Sequence, residues 1–570
     1  MSSMFDGLFI ARSGVRASRV ALNITGQNIT NANTDGYTRQ RVDQSSLPPS
    51  EYGGEWSSSG AAVGNGTSVD SISQFRDEFL DSEFRTQNSK SGESSTQVST
   101  LYDMEDIFTS TTTASSSSKS SVINVLNDEF SNFLSQLQNF SQGVSNVSES
   151  TVRDAASSLA TKLNIAAKAL ETTRDQQYTN LTKYGVNAAN GLLKNIASLN
   201  KQIKDAECSG SSVLELQDQR NLMLDKLSKY VPIKVNETPA VLANGKTVDT
   251  MSVYLADADG NQLGGNYELI GGTDGNDFAE FTVSQDPPAS GKSFGITQVK
   301  LTGLSTDGGQ TFGTDTAMAN GDIKGGTFSG YLKLLNESGE YDTALGSTTS
   351  TFRGIGFYSQ YLDTIAQNFA STLNTLNFNA SKKDSDNNAV PVEKQILLSG
   401  STDTRVPGDD DAHALDDIAK GVTAKNIHVA AAWQDGVLAT TKDPPVAGGS
   451  NKASFSNILV MIGSLTNDKI SLKTSSGISV FTGSLQSAFS DVSATLAQNT
   501  NSLQSTDNTN SNKLNNISSS RQAISSVSLD DEAVSIVQFS QSLNASSRFM
   551  TAVDECLQNI INNMGLAGRG

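Results

Sequence analysis

Apolar side chains at both ends of the chain recur at alternating spacings of four and three. Near the amino terminus the series is Met4, Leu8, Ala11, Val15, Ser18, Leu22, Thr25 and Ile29. Near the carboxy terminus it is Ile536, Ser540, Leu543, Ser547, Met550, Asp554, Leu557, Ile561 and Met564, widened by Phe539, Phe549, Val553 and Ile560. Such spacing draws one stripe along a helix, so each end predicts a long helix with a face that needs cover. Ala11, Ser18 and Thr25 weaken the first seam, and a helix that buries so little does not offset its own ordering entropy. The pattern therefore predicts a terminal helical domain made of 1–45 and 525–570, disordered in the monomer and helical in an assembly. Periodicity alone leaves a second arrangement open, in which the two helices pair inside one monomeric bundle.

The middle of the chain alternates between helical and strand periods. A low-complexity loop, TSTTTASSSSKSS (109–121), precedes the helical series Ile123, Leu126, Phe130, Phe133, Leu137 and Phe140. Leu159, Leu163, Ala166 and Leu170 repeat the helical spacing, and so do Leu192, Ile196, Leu199 and Ile203. From Val231 short alternating runs bounded by Asp-Gly and Gly-Gly turns read as strands. Helical spacing returns at Gly330–Leu335 and at Tyr361, Leu362, Ile365, Phe369 and Leu373. A second insertion follows, with an acidic loop from Pro407 to Asp411, a strand over Asn426–Ala430 and a Pro444-Pro445 turn. Weak stripes (Leu485, Phe489, Val492, Leu496, then Leu514 with Ile517) mark a polar helix over about 485–520. The expected fold is α+β multidomain: a long-helix coiled-coil rod from both chain ends with mainly β insertion domains. The helical rod domain takes 46–230, 323–380 and 451–524, the β insertion 231–322, and a second small insertion 381–450. Because the rod uses both halves of the chain, the two termini must lie close together.

Composition narrows the chemistry. In 570 residues there are 41 Lys and Arg against 60 Asp and Glu, a net charge of −19. A surface so negative repels phosphate backbones and anionic membranes, so neither nucleic acid nor membrane is expected as a partner. Cys208 and Cys556 are the only cysteines and His413 and His428 the only histidines, too few for a disulfide scaffold or a structural zinc site. No apolar run is long enough to span a bilayer, and the amino terminus lacks the uninterrupted apolar core of a Sec signal.

Several motifs dissolve on inspection. Asp384-x-Asp386-x-Asn388 has Ala389 where an EF-hand needs Gly and Gln395 where it needs Glu, and Asp257-x-Asp259-Gly260-Asn261 fails the same register; both read as turns. Gly271-Gly272-Thr273-Asp274-Gly275 lacks the Lys-Ser/Thr of a phosphate loop and reads as a hairpin turn. His413 beside Asp409–Asp411 reads as a solvated acidic loop, and Trp56 and Trp433 as packing residues. No catalytic, cofactor-binding or metal-binding residue is expected. Leu529-Asp530-Asp531-Glu532 reads as a helix start, with Ser528 as N-cap and the acids complementing the helix dipole.

The stretch Gln27-Asn28-Ile29-Thr30-Asn31-Ala32-Asn33-Thr34-Asp35-Gly36-Tyr37-Thr38-Arg39 ends the first helix. Its Asn residues and Asp35-Gly36 suit a helix stop and turn. The whole string also resembles the Asn-rich signature of the rod and hook axial proteins of the bacterial flagellum. Within that superfamily the match is closest to the hook-associated protein 1 family. Gly64-Asn65-Gly66-Thr67-Ser68-Val69, Arg76-Asp77-Glu78-Phe79-Leu80, Asp218-Gln219-Arg220-Asn221 and Gly325-Gly326-Thr327-Phe328 extend the resemblance. Ser525 to Glu532, with Gln541 and Asn544-Ala545-Ser546, carries it to the carboxy terminus. Ser526, Ser528 and Asn221 depart from the family pattern.

The resemblance implies a structural subunit, not an enzyme, that forms the junction between flagellar hook and filament and needs no cofactor. Its assembly interface would comprise Met4, Leu8, Val15, Leu22, Ile29, Asn31, Asn33, Thr34, Gly36 and Tyr37 from the first arm. Ile536, Phe539, Leu543, Met550, Val553, Leu557, Ile560, Ile561 and Met564 would supply the second. Implied partners are copies of itself in a ring, hook subunits below, the second junction protein above, and an export chaperone on the carboxy-terminal helix. Export by the flagellar type III route and an extracellular location follow. A hook or distal rod subunit is the alternative within the superfamily, and a secreted adhesin or enzyme the alternative outside it.

Overall fold

The computed structural model describes residues 6–48, 64–107, 109–110, 120–144, 147–241, 247–264, 267–271, 277–286, 296–304, 316–317, 323–342, 352–380, 395–400, 421–434, 438–441, 455–473 and 478–564. Met4, Trp56, the 384–388 motif, Gly272 to Gly275, Pro407 to Asp411, His413 and Pro444-Pro445 lie outside them, as do most of the Ser-rich loop and the side chain of Met564.

The amino-terminal helix α1 (Asp6–Asn31) leads into a hairpin of β1 (Gln40–Ser46) and β2 (Thr67–Gln74), which are antiparallel from Gln40 opposite Gln74 to Ser46 opposite Thr67. A long helix α2 (Glu78–Ile107) follows, and a two-residue ladder of β3 (Thr109–Ser110) and β4 (Ser120–Ser121) brackets the Ser-rich loop. Next come α3 (Val122–Ser141) and α4 (Glu149–Thr179), the latter running through a π-helical segment (Asn180–Val186) into α5 (Asn187–Ser209), then α6 (Leu214–Tyr230). The extra residue of a π turn lets the backbone shift locally; here Gly185 lies so close to Phe328 that an added Cβ would meet its ring at 3.2 Å.

Strands β5 (Ile233–Val241), β6 (Thr247–Leu255), β7 (Glu268–Gly271), β8 (Asp277–Gln285), β9 (Thr297–Leu304) and β10 (Thr316–Ala317) form one antiparallel meander in sequence order. The alternation read from sequence is kept: Met251, Val253 and Leu255 are buried on one face. That face shares a single apolar core with Leu193, Ile196, Leu224 and Leu227 of α5 and α6 and with Phe328 of α7 (Gly326–Asn336). Phe281 meets Phe328 edge to face at 5.4 Å, and Asn190 of α5 bonds both the N–H and the C=O of Phe281.

A second core fills the space between α3, α4, α8 (Ile355–Ala380), the short α9 (Ala431–Gln434), α10 (Ser456–Thr466) and the first half of α11 (Leu485–Ser525). Here Phe130, Phe133, Phe369 and Phe489 stack in contact. The described part of the second insertion joins this core: Trp433 is 1% exposed, β11 (Leu398–Ser399) pairs with β12 (His428–Val429), and Asn374 of α8 bonds the backbone of Leu397 and Leu398. Strands β13 (Ile470–Lys473) and β14 (Ser479–Gly483) form a hairpin before α11. Asp257 accepts from the N–H groups of Asp259 and Asn261, the turn expected there.

The distal half of α11 packs along α2 through polar groups. Ser94 donates to Asp507 (2.8 Å), Tyr102 to Gln504 (3.0 Å) and Gln87 to the backbone oxygen of Asn510 (3.1 Å). Hydrogen bonds between small polar side chains replace an apolar seam, which is why the stripe fades beyond Thr500. The last helix, α12 (Leu529–Met564), returns alongside α1.

Candidate assembly site at the base of the terminal helices

The two terminal helices run antiparallel on a seam of small residues. Gly7 faces Val553, Gly14 faces Ser546, and Asn28 reaches Glu532. Each step of seven along α1 thus matches a step of seven along α12, and an added Cβ at Gly14 would stand 2.7 Å from the Ser546 hydroxyl. Ala11, Ala17, Ser18, Ala21, Ile24 and Thr25 of α1 are buried. Leu8, Val15, Leu22 and Ile29 sit at its margin, half-covered, as do Phe539, Leu543, Met550, Val553, Leu557 and Ile560 of α12. The expected assembly residues Ile536 and Ile561 remain exposed, and so does Phe549, which widens the stripe. Phe9 (59% exposed), Val534 (68%) and Val537 (56%) join them, and the heptad reading missed these three. Beyond Gly7 an apolar groove of about 250 Å³ opens between Phe549, Val553, Leu557 and Ile560.

At the other end of the pair, polar groups replace apolar ones. The Asn28 amide donates to the Gln40 backbone oxygen (2.9 Å) and to Glu532 (3.3 Å), while its oxygen accepts from Tyr37 Oη (2.9 Å) and from Gln40 N–H (3.0 Å). Asn28 is 1% exposed and all four of its hydrogen-bonding sites are used. Arg39 pairs with Glu532 at 2.7 Å and donates its backbone N–H to Ser525 oxygen. Residues just past α1 are therefore tied to both sides of the α11–α12 break. Ser528 caps α12 as expected, its hydroxyl accepting from the Asp531 N–H. Glu532, expected only to complement the helix dipole, is 2% exposed and is the shared acceptor of the node.

Below the node, charges alternate across four segments. Thr38 gives its N–H (3.0 Å) and hydroxyl (2.7 Å) to Asp218 of α6. Asp218 faces Arg76, and Arg76 pairs with Asp81 at the start of α2. Arg521 of α11 lies 2.8 Å from Asp81 and 2.6 Å from Asp225, and Arg85 closes the series on Asp225 at 3.0 Å. Burial pushes the Asp218 carboxyl above its usual range, opposed by the Thr38 hydrogen bonds and by Arg76. Burial also raises the Tyr37 phenol, with Asp218, Glu215 and Glu532 adding to it. The raised phenol keeps Tyr37 protonated, as the donor to Asn28.

Of the signature residues expected at an interface, Tyr37 alone enters this node. Asn31, Thr34 and Gly36 shape the turn: the Asn31 amide donates to Gln27 oxygen, Thr34 N–H to Asn31 oxygen, and Gly36 takes φ of 81°, the left-handed region that favours glycine. Asn33 is exposed. The node residues missed as sites were Asn28, Thr38, Arg39, Arg76, Asp218, Arg521 and Glu532. Only the unusual density of Asn and charge in the two terminal signatures hinted at them.

A family model described as flagellar hook-associated protein FlgK helical domain matches residues 113–389, and one described as flagella basal body rod protein matches 8–38. Flagellar hook-associated protein 1 of Bacillus subtilis (strain 168) is 29% identical over 585 aligned residues, covering 100% of each chain. Its counterpart in Escherichia coli (strain K12) is 24% identical over 601 residues, covering 99% of this chain and 100% of its own. A solved structure of the flagellar hook junction protein FlgK from Burkholderia pseudomallei aligns with a TM-score of 0.52 at 14% identity, over 78% of this chain and 100% of its own. At that identity the likeness speaks for the fold.

Proposed function

The chain belongs to the flagellar hook-associated protein 1 (FlgK) family, and from that premise we propose that it is a structural subunit of the bacterial flagellum that forms the hook–filament junction through its paired terminal helices. One observation carries this reading: a helix pair locked at its base by a buried polar node, yet presenting unpaired apolar side chains along its outer length. A pair built to be self-sufficient would bury Val534, Val537 and Phe549. One built to join neighbours keeps them outside.

The protein assembles with hook and other flagellar components. Within that setting its own copies form a ring, with hook subunits below and the second junction protein above. The seam-margin residues Leu8, Val15, Leu22, Ile29, Leu543, Met550 and Leu557 hold the pair, while Ile536, Phe549 and Ile561 meet neighbours. The terminal helical domain is disordered before assembly and gains its order there, which suits passage through a narrow type III export channel. A chaperone covers the α12 stripe on the way. The work is mechanical, joining a bending hook to a stiffer filament, with no chemical step.

Electron microscopy of cells lacking the gene, with an assay of flagellin in the medium, tests the reading. Bare hooks and shed flagellin are expected. Missing hooks would place the chain earlier in the axis as a hook or rod subunit. Intact filaments would remove it from the axis altogether.

A further inference from the structure

The side of α1 that turns away from α12 carries three exposed arginines, Arg12, Arg16 and Arg19. Gly7 and Gly14 face α12, and Ile10 and Ser13 face the β1–β2 hairpin at Gly66 and Thr67. At roughly 100° per residue the three arginines therefore fall opposite α12 and clear of the hairpin. Asp6 is the only acid in the helix, and among the described residues none of the three guanidinium groups has an ion-pair partner. Spaced four and three apart, they repel one another along one face, an arrangement that weakens a helix left to itself. Carboxylates brought by a neighbour turn that repulsion into a contact.

The same arm carries the complement. Helix α12 exposes Asp530, Asp531, Asp554 and Glu555 against a single cation, Arg548, and none of the four carboxylates pairs with a cation among the described residues. Asp530 and Asp531 stand in the first turn, where the helix dipole already favours them. Asp554 and Glu555 have no such compensation, and Asp554 accepts only from Gln558 of its own helix (3.4 Å). Because Gly7 faces Val553, these two acids stand level with the start of α1, about ten residues or roughly 15 Å from the middle of the arginine row. Within one arm the two sets of charges do not meet. Two complementary surfaces at different places on one subunit join head to tail between copies, and such contacts close a ring or wind a helix. We infer that the arginine row of one copy docks on Asp554 and Glu555 of a second copy, offset along the arm by roughly 15 Å. Both halves of the contact are present on every copy, as a ring of copies requires. The inference rests on the junction reading above and adds to it which side of the arm meets which.

Charge exchange in cells lacking the native gene tests the contact, with filaments counted per cell and the exported chain assayed in the medium. Arg12→Glu with Arg16→Glu and Arg19→Glu should be exported yet cut filament number at least about tenfold, since like charges then face each other. Asp554→Lys with Glu555→Lys should do the same. All five changes in one chain restore the attraction with its signs exchanged, and filament number should recover most of the way to wild type. Normal filaments in either one-sided variant would overturn the inference. So would a combined chain as deficient as its parents, which would assign the arginines to acids of a hook subunit or another axial protein. Where a reversed chain is not exported, the neutral set Arg12→Gln with Arg16→Gln and Arg19→Gln replaces it, with a smaller loss expected and an unchanged count counting against the contact. A wild-type chain absent from hook tips would sink the junction reading itself, whereas a wild-type chain present there with the reversals tolerated would sink only this contact.

Discussion

Glu532 shows how one side chain sets a direction. It accepts from Asn28 and Arg39, residues of the arm that leaves α1, while belonging to the first turn of α12. Removing it strands the Asn28 amide in a buried place and frees an arginine that is only about a quarter exposed. Glu532→Ala should cost roughly 1–3 kcal/mol, toward the low end because Arg39 regains water. Hydrogen exchange of the assembled junction, where the terminal helices are ordered, should show faster amides over 525–540 with the cores of α3, α8 and α11 unchanged. Uniform exchange across both would contradict a local hinge role.

Asp363 gives the clearest pH dependence. It is half-buried in α8, accepts from Ala424 N–H at 2.8 Å, and desolvation pushes its carboxyl up to about 6 against that opposing hydrogen bond. The unfolded chain keeps an ordinary aspartate near 4. The folded state therefore binds the extra proton between those values, so stability falls as pH rises from about 4 to about 6 and stays lower above. Asp363→Asn keeps the acceptor and stays neutral. It should gain about 1–3 kcal/mol at pH 7 over the wild type in urea unfolding, with the gain vanishing below about pH 4. An equal gain at all pH values would refute the ionisation argument.

At the scale of elements, the terminal helices pack on glycine and alanine rather than leucine. The heptad is legible in the sequence, and Ala11, Ser18 and Thr25 of the expected seam are buried, but its large members Leu8, Val15 and Leu22 lie one residue away from Gly7, Gly14 and Ala21, which take the close contacts. Gly7, Gly14 and Ala21 carry little hydrophobic signal, yet they permit the close approach. The large residues Leu8, Val15 and Leu22 then fall to the margin. Gly14→Ala should be tolerated through rotation of the Ser546 hydroxyl, whereas Gly14→Leu should spread the pair and lower the melting transition of the assembled junction, where the pair is ordered, by several degrees. A leucine variant that melts with the wild type would show that the seam is not close-packed. On the outer face, Val534→Asp with Val537→Asp should leave urea stability within about 0.5 kcal/mol, since both are exposed, and still abolish incorporation into the flagellum. Filaments of normal number and length would count against that face as an interface. The α2–α11 pair was the least legible of the elements: Ser94, Gln87 and Tyr102 bond Asp507, Asn510 and Gln504, and such polar pairing leaves no period to read.

At the scale of the whole molecule, nesting of the termini around the middle was readable because both ends carried helix periods and collinear signatures. The node that joins them was not. Thr38, Asp218, Arg76, Asp81, Arg521 and Asp225 come from segments up to hundreds of positions apart, and a charge chain closed only in space has no local pattern. The strands were legible by their alternation. Their sharing of one core with α5, α6 and α7 was not, since the buried faces of Met251, Val253 and Phe281 look alike whether they cover another sheet or a helix. Asn190 bonding to Phe281 fastens the sheet to the rod, so an outward force on the β region reaches α5 directly.

The central claim is that this helix pair, aimed by the node at its base, is the part of the chain built into the flagellar axis. Cryo-electron microscopy of intact hook–filament junctions tests it most directly. The account predicts this chain between hook and filament, with α1 and α12 antiparallel in the inner layer, Gly14 opposite Ser546, and Val534, Val537 and Phe549 against neighbouring subunits. Terminal helices found apart, or turned outward with those side chains in solvent, would contradict it.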